Sequence, residues 1–171
     1  MVTKNINLSV AQVNELNLVE KWLGLVHVKR WWNKEWASDI INTIYRFKAD
    51  GNYNNLVYII ASADQNIGLI HVYSSLKVKP DYIDTKELSL RYLIGEKDYL
   101  NRNLGSSAIK SVIGEIFKNK EKDRIISEPQ ADNWPAIISL QRAGFRNRGR
   151  VSRPGFNLVQ LTFSRSLLSK K

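Results

Sequence analysis

The sequence predicts an α/β (α+β) fold in one domain, and three observations predict it. Seven runs have strand character and four segments have helical spacing, in the order β, αα, β, β, β, α, β, α, β, β. The 171 residues suit one domain with a real core. No repeat, low-complexity stretch or Pro/Gly-rich linker divides the chain, so residues 1–171 read as one unit.

The elements follow in order. "INLSV" suits an edge strand, and Val13 to Leu23 and Ser38 to Phe47 have helical spacing, with "VHVKRWWNKEW" between them. "NLVYIIASAD" and "IGLIHVYSS" are β-rich runs joined at Asp64-Gln65-Asn66, a tight hairpin signal. "KELSLRYLI", Lys86 to Ile94, has the apolar and β-branched density of a buried strand. After it, Ala108, Ile109, Val112, Ile113, Ile116 and Phe117 recur at steps of three and four, which marks one buried helix face. "RIIS", Arg124 to Ser127, reads as a short buried strand ended by Glu128 and Pro129. Asn133 stands where it can cap a helix with Pro135 in its first turn, and Gly144 stops that helix before Phe145. Strands near Arg148 to Val151 and Leu158 to Phe163 complete the order.

Composition narrows the chemistry. Zero cysteines exclude disulfides, thiolate metal sites and a cysteine nucleophile, and two histidines, His27 and His71, are too few for a histidine metal cluster. Metal-free chemistry is expected. No apolar run approaches membrane-spanning length, and "MVTKNINLSV" lacks the apolar stretch of a signal peptide, so a soluble, cytoplasmic protein is expected. The net charge of +10 is uneven: no Asp or Glu follows Asp132, whereas Arg142, Arg146, Arg148, Arg150, Arg153, Arg165, Lys170 and Lys171 do. Such a field attracts the phosphates of a cosubstrate, a nucleic acid or an acidic protein, or is a solvated basic surface.

The turn Leu100-Asn101-Arg102-Asn103-Leu104-Gly105-Ser106-Ser107 opens the first helix after the fourth strand. A helix start presents unpaired N–H groups and the positive end of the peptide dipole, and the small Gly105, Ser106 and Ser107 allow a pyrophosphate to approach. Together with Asn133, Ala136 and Gly144-Phe145, this turn resembles the GNAT family of acyl-coenzyme A dependent N-acyltransferases. That family has the phosphate pattern Gln/Arg-x-x-Gly-x-Gly/Ala and a late Asn-x-x-Ala…Gly-Phe segment along the pantetheine arm. The resemblance implies a GNAT-type domain with a mixed, mostly antiparallel central sheet of about six to seven strands, flanked by about four helices. It also implies a splay between the fourth and fifth strands, where the pantetheine arm pairs with the exposed edge by strand addition. Acetyl-coenzyme A, or another acyl-coenzyme A, is the implied cosubstrate, with Leu93, Ile94, Arg102, Asn103, Leu104, Gly105, Ser106, Ser107, Asn133 and Ala136 around it. The chain departs from the pattern where Leu100 holds its first position and Asn103 its first glycine. It departs again at Leu140, where many members carry a tyrosine that protonates the leaving thiolate.

Within the family, "EKW…VHVKRWW", "GEKDYLNRNLG" and "EPQADN" bring the chain closest to the siderophore-biosynthesis N-acyltransferases and the aminoglycoside 6'-N-acetyltransferases. At the position of Arg91 the former usually have His and the latter Asp. An arginine there repels a polycation and can clamp a carboxylate, or it is an outward-facing strand residue. Amide formation needs a route for the amine proton. Glu128, at the end of the fifth strand, is the candidate base, or a solvated strand-end glutamate beside Arg124. Asp98 is a possible relay before the phosphate turn, Glu87 a second substrate-side carboxylate, and Glu96 a solvated one. A backbone N–H near Leu93 or Ile94 would hold the oxyanion. Trp32 is placed at the acceptor site and Trp31 in the core, while His27 and His71 are read as structural.

Acyl transfer to a primary amine or hydroxylamine of a small molecule that bears a carboxylate is therefore the leading expectation. An aminoglycoside 6'-N-acetyltransferase is the alternative. A GNAT-like module that uses its basic C-terminal third for nucleic acid or an acidic partner is a further class, with nucleic acid disfavoured by the absence of RNA-binding motifs. Protein-directed acetylation keeps a residual place. The oligomeric state, monomer or homodimer, stays open.

Overall fold

In the computed structural model the chain is described over residues 5–47, 54–74 and 86–170. Seven strands form one sheet: β1 (Ile6–Val10), β2 (Asn55–Ser62), β3 (Gln65–Ser74), β4 (Glu87–Ile94), β5 (Arg124–Ser127), β6 (Arg146–Arg153) and β7 (Phe156–Ser164), in the order β1-β2-β3-β4-β5-β7-β6. Among the described strands only β4 and β5 pair in parallel. Among the described residues five α-helices accompany them: α1 (Leu16–Gly24), α2 (Val26–Lys29), α3 (Lys34–Arg46), α4 (Leu104–Ile116) and α5 (Trp134–Arg142). The single-turn α2 lies inside "VHVKRWWNKEW", too short for a periodic signal, and accounts for the helix beyond the expected four. Ser75 and Lys171 fall outside the described residues.

Two apolar layers cover the sheet. On one face α4 and α5 bury Ile109, Val112, Ile113, Ile137 and Leu140 against Ile70, Leu90 and Leu161. On the other, α1 to α3 bury Trp22, Val28, Ile40 and Ile44 against Ile59, Leu69 and Leu93. Strand side chains alternate between faces, so β4 sends Leu88 and Leu90 to one layer and Leu93 to the other. Both faces of its inner strands are covered, which is why they read as continuous apolar runs.

The hairpin turn falls earlier than its sequence signal. Ser62 pairs with Gln65, so Ala63 and Asp64 form the tip, and Ala63 takes φ +51°. A register shift between Ile60 and Ala61 moves the tip, an irregularity that turn chemistry does not announce. By contrast, the end of α5 follows its residues closely. Gly144, at φ +105°, lets its N–H reach the Gln141 carbonyl at 2.9 Å while the Phe145 N–H reaches Leu140 at 3.0 Å. That pair of bonds satisfies the last helical carbonyls and turns the chain into β6.

The feature that positions the site lies between β4 and β5. Their pairing runs only from Glu87↔Arg124 to Ser89↔Ile126. Beyond Ser89 the strands part, and among the described residues no strand lies beside the β4 edge from Leu90 to Ile94 on that side. Glu87 sits at the opposite, closed end of this pair. It is buried, with 2% of its surface exposed, and Arg124 Nε donates to its Oε2 at 2.7 Å.

Candidate functional site

The mouth of the splay holds two adjoining cavities that share Trp31, Trp32, Tyr92, Asn133 and Ala136. One, of about 540 Å³, runs along Leu93 and Ile94 to the turn Arg102–Gly105 and the outer side of α5. The other, of about 380 Å³, lies among Trp36, Tyr73, Arg91, Glu128, Arg153 and Phe156.

The first cavity is built by the start of α4. Asn103 precedes the helix in the left-handed conformation, φ 59° and ψ 15°, a geometry that asparagine tolerates better than most residues. Its side chain does not cap the helix; it accepts a hydrogen bond from Arg142 on α5. The side chain is thus engaged by α5 and not by the helix start, and the first-turn amides keep their donor capacity for another acceptor. Gly105 presses its backbone against Tyr92, and a β-carbon there would stand 2.8 Å from Cε2 of that ring. The hydroxyls of Ser106 and Ser107 turn back to the Asn103 carbonyl, at 2.9 and 3.2 Å, so the contribution left to them is backbone. Asn133 caps α5, its Oδ1 accepting from the Ala136 N–H at 3.3 Å.

The splayed edge follows from strand alternation. The Gly95 N–H is given to Ile67 on β3 at 2.8 Å, so the N–H groups two residues apart from it face β3, and those of Tyr92 and Ile94 face the opening. The Ile94 carbonyl on this edge meets His27 Nε2 at 3.1 Å. A carbonyl only accepts, so Nε2 carries the proton. His27 therefore anchors the edge, and it also lines the larger cavity.

In the second cavity Glu128 is held by Arg153, whose Nη2 lies 2.9 and 3.0 Å from its two oxygens, and by Gln160 Nε2 at 2.9 Å. Its partner is thus Arg153 across the sheet, since Arg124 is engaged by Glu87. Arg91 is nearly enclosed, with 12% of its side chain exposed, and Nη2 lies 3.4 Å from Asp39 Oδ2. Its guanidinium carbon stands 4.3 Å from the ring centre of Tyr73, 5.0 Å from Trp36 and 5.9 Å from Trp32. Among the described residues, Nε and Nη1 have no hydrogen-bond partner. Burial raises the Tyr73 phenol above its usual value, with the positive charge of Arg91 opposing.

Tyr92 stands between the cavities. Burial pushes its phenol up to about 12, against a smaller opposing effect from a side-chain hydrogen bond with Ser139. A phenol thus reaches α5 beside Leu140, from a strand and not from the helix itself.

Several expected residues lie elsewhere. Glu87 lines neither cavity; its strand-opening position looked accessible, but the register pairs it with Arg124. Asp98 is exposed on the turn Lys97–Tyr99, outside both linings. Glu96 is no solvated carboxylate: Trp22 Nε1 donates to it at 2.8 Å and Lys21 at 3.2 Å, and these bonds hold its pKa below the usual value, the Trp22 bond most strongly. Trp31 is half-buried and lines both cavities, while Trp32 both lines them and packs on the α1–α3 layer. Trp36, Asp39, Tyr73, Tyr92, Arg153 and Phe156 were not picked out. Trp36 and Asp39 lie three residues apart on α3, a spacing that puts them on one helix face; Tyr73, Tyr92, Arg153 and Phe156 join them through strand pairing.

A sheet splayed at one parallel pair, with a helix start and a long cavity at the gap, can accommodate an extended, phosphate-bearing molecule, with a second cavity adjoining. The chain belongs to the acetyltransferase (GNAT) domain family, whose sequence pattern matches residues 12–153. Its class of activity is acetyl transfer from acyl-coenzyme A to an amine. It is similar to aminoglycoside N(6')-acetyltransferase type 1 of Klebsiella pneumoniae, 21% identical over 173 residues that cover 97% of this chain and 86% of that protein. The fold is similar to that of aminoglycoside acetyltransferase AAC(6')-Ib in complex with coenzyme A and kanamycin, with a TM-score of 0.83, 20% identity and coverage of 98% and 99% of the two chains. An aminoglycoside N(6')-acetyltransferase from Legionella pneumophila has a TM-score of 0.75 at 17% identity, over 99% and 98% of the two chains.

Proposed function

We propose that this chain acetylates the primary amine or hydroxylamine of a small molecule that also carries a carboxylate, with acetyl-coenzyme A as donor. The observation that carries the acceptor is Arg91, a guanidinium in the smaller cavity whose Nε and Nη1 have no protein partner among the described residues. Enclosed in this way, it favours an anionic group on the ligand and opposes a polycation.

The residues present suit the donor. The edge N–H groups of Tyr92 and Ile94, the uncapped first turn of α4, and Gly105, Asn133 and Ala136 line one continuous path. Acetyl-coenzyme A supplies an activated acyl carbonyl and a thiolate leaving group. Tyr92 or Ile94 N–H stabilises the oxyanion that forms when the amine attacks. Glu128 binds the ammonium form or accepts its proton, with Arg153 and Gln160 fixing the carboxylate's orientation. Tyr92 stays protonated at neutral pH and can give a hydrogen bond where Leu140 cannot. Asp98, Glu87, and the hydroxyls of Ser106 and Ser107 have no place in this scheme.

A second reading, an aminoglycoside as acceptor, is favoured by the named relatives. Purified protein with acetyl-coenzyme A and a panel of amines, followed by thiol release, separates the two. Turnover of lysine, N6-hydroxylysine or another amino acid above that of kanamycin or tobramycin is expected. Rapid turnover of the antibiotics with none of the amino acids would reverse the order. Calorimetry with coenzyme A tests the donor: no binding, alongside salt-sensitive binding to RNA, would replace the enzyme with a binding module.

A further inference from the structure

Arg91 has surroundings that more commonly receive a ligand's cation than a protein's own. Tyr73 comes from β3, Trp32 and Trp36 from the approach to α3 and its first turns, and Asp39 from the same helix. Their rings stand 4.3, 5.9 and 5.0 Å from the guanidinium carbon, with the Asp39 carboxylate at 3.4 Å from Nη2. Three ring faces and one carboxylate around a single cation make an ammonium or guanidinium box.

Two features separate this box from an ordinary structural ion pair. An arginine retained for structure has its N–H groups satisfied, whereas Nε and Nη1 here have no partner among the described residues. The walls also hold one another: Trp36 stacks on Phe156 at 6.1 Å and 20°, and meets Trp32 edge-on at 6.0 Å. Trp32 in turn packs on the α1–α3 layer. Two of the walls, Trp32 and Trp36, are thus held by contacts other than those with Arg91.

We propose that Arg91 is the resident occupant of a cation-binding box in the acceptor cavity, and that shortening this one side chain opens a subsite for a ligand's ammonium or guanidinium group. Arg91 is then the residue that sets the sign of the accepted ligand. With the side chain in place, an anionic group meets its unpartnered N–H donors. With it removed, aromatic faces and Asp39 meet a cation. This rests on the proposed acceptor cavity but not on turnover, because occupancy of the box is read by binding.

The test uses the full chain with Arg91→Ala, and methylguanidinium and tetramethylammonium chlorides as probes against sodium chloride at equal ionic strength. Thermal melting and tryptophan fluorescence are the readouts, the latter because Trp32 and Trp36 form the walls. Either organic cation should raise the melting temperature of the variant, on the order of 3 °C at tenfold excess over its dissociation constant, and shift its fluorescence. The parent protein should respond no more than to sodium chloride. Adding Asp39→Asn should weaken the effect on the order of tenfold. Should Arg91→Ala fold poorly, recovery of its melting transition by methylguanidinium counts as the same positive result. No response of the variant to either cation, or an equal response of the parent, overturns the proposal. As an activity readout, the variant should gain on the order of tenfold for a diamine relative to an amino acid. Absence of turnover in both proteins would bear on the acetyl-transfer reading and leave the binding result standing.

Discussion

Replacing Gly105 by alanine adds one methyl group at the junction of the two cavities. Its β-carbon would lie 2.8 Å from Cε2 of Tyr92 and 3.4 Å from both Cζ and the phenol oxygen. The first distance is too short for two carbons, so the ring or the start of α4 must move. Neither moves freely, because Tyr92 packs against the α4–α5 layer and α4 begins with the buried Leu104. Overpacking of this kind costs about 1–3 kcal/mol. The greater helix preference of alanine returns at most about 1 kcal/mol, and less in a first turn. A net loss of about 1–2 kcal/mol lowers the melting temperature of a chain this size by roughly 2–8 °C. Coenzyme A binding measured by calorimetry should weaken as well, since the same turn lines the larger cavity, the proposed donor site. The decisive measurement is a double-mutant cycle with Tyr92→Ala. With the ring gone, Gly105→Ala should cost nothing or stabilise the fold. An equal loss in both backgrounds, or none in the parent, would refute steric opposition by Tyr92.

Further predictions follow from the charges. Because burial raises the Tyr92 phenol from 10.0 to about 12, the stability it contributes is complete below pH 10 and is lost as pH rises through 12. Tyr92→Phe should therefore flatten alkaline unfolding in that window, measured by circular dichroism. Glu96 has a lowered pKa, so its contribution is complete above its ordinary value of 4.5 and is lost as pH falls through the native value. Glu96→Gln should make acid unfolding shallower there, while the parent retains a carboxylate-dependent limb. Glu128→Gln should lower kcat/KM on the order of 100-fold with little change in coenzyme A affinity, by steady-state kinetics and calorimetry. Unchanged kcat/KM would remove Glu128 from the proton route.

The turn that opens α4 was legible in the sequence because its determinants are local. Asn103 and Gly105 have the sizes that the start of α4 requires, and Asn133 caps the next helix through a residue three positions away. Glu128 was legible by its place at a strand end, but its partner was not. Arg124 is near in sequence, yet the β6–β7 hairpin brings Arg153 across to it. Glu87 and Glu96 were misplaced for the same reason, since their partners lie 37 and 74 positions away.

The sequence by itself determined the order of the strands and of the longer helices, and the cap and stop of α5. Those depend on side-chain size, capping and periodicity within a few residues. Only the tertiary structure decided the charge and shape of the smaller cavity. Arg91 was conspicuous as a strand arginine, but whether it met solvent or a wall depended on the β3–β4 register and on how α3 packs. Those contacts bring Tyr73, Trp36 and Asp39 around it, and no local pattern encodes such a meeting.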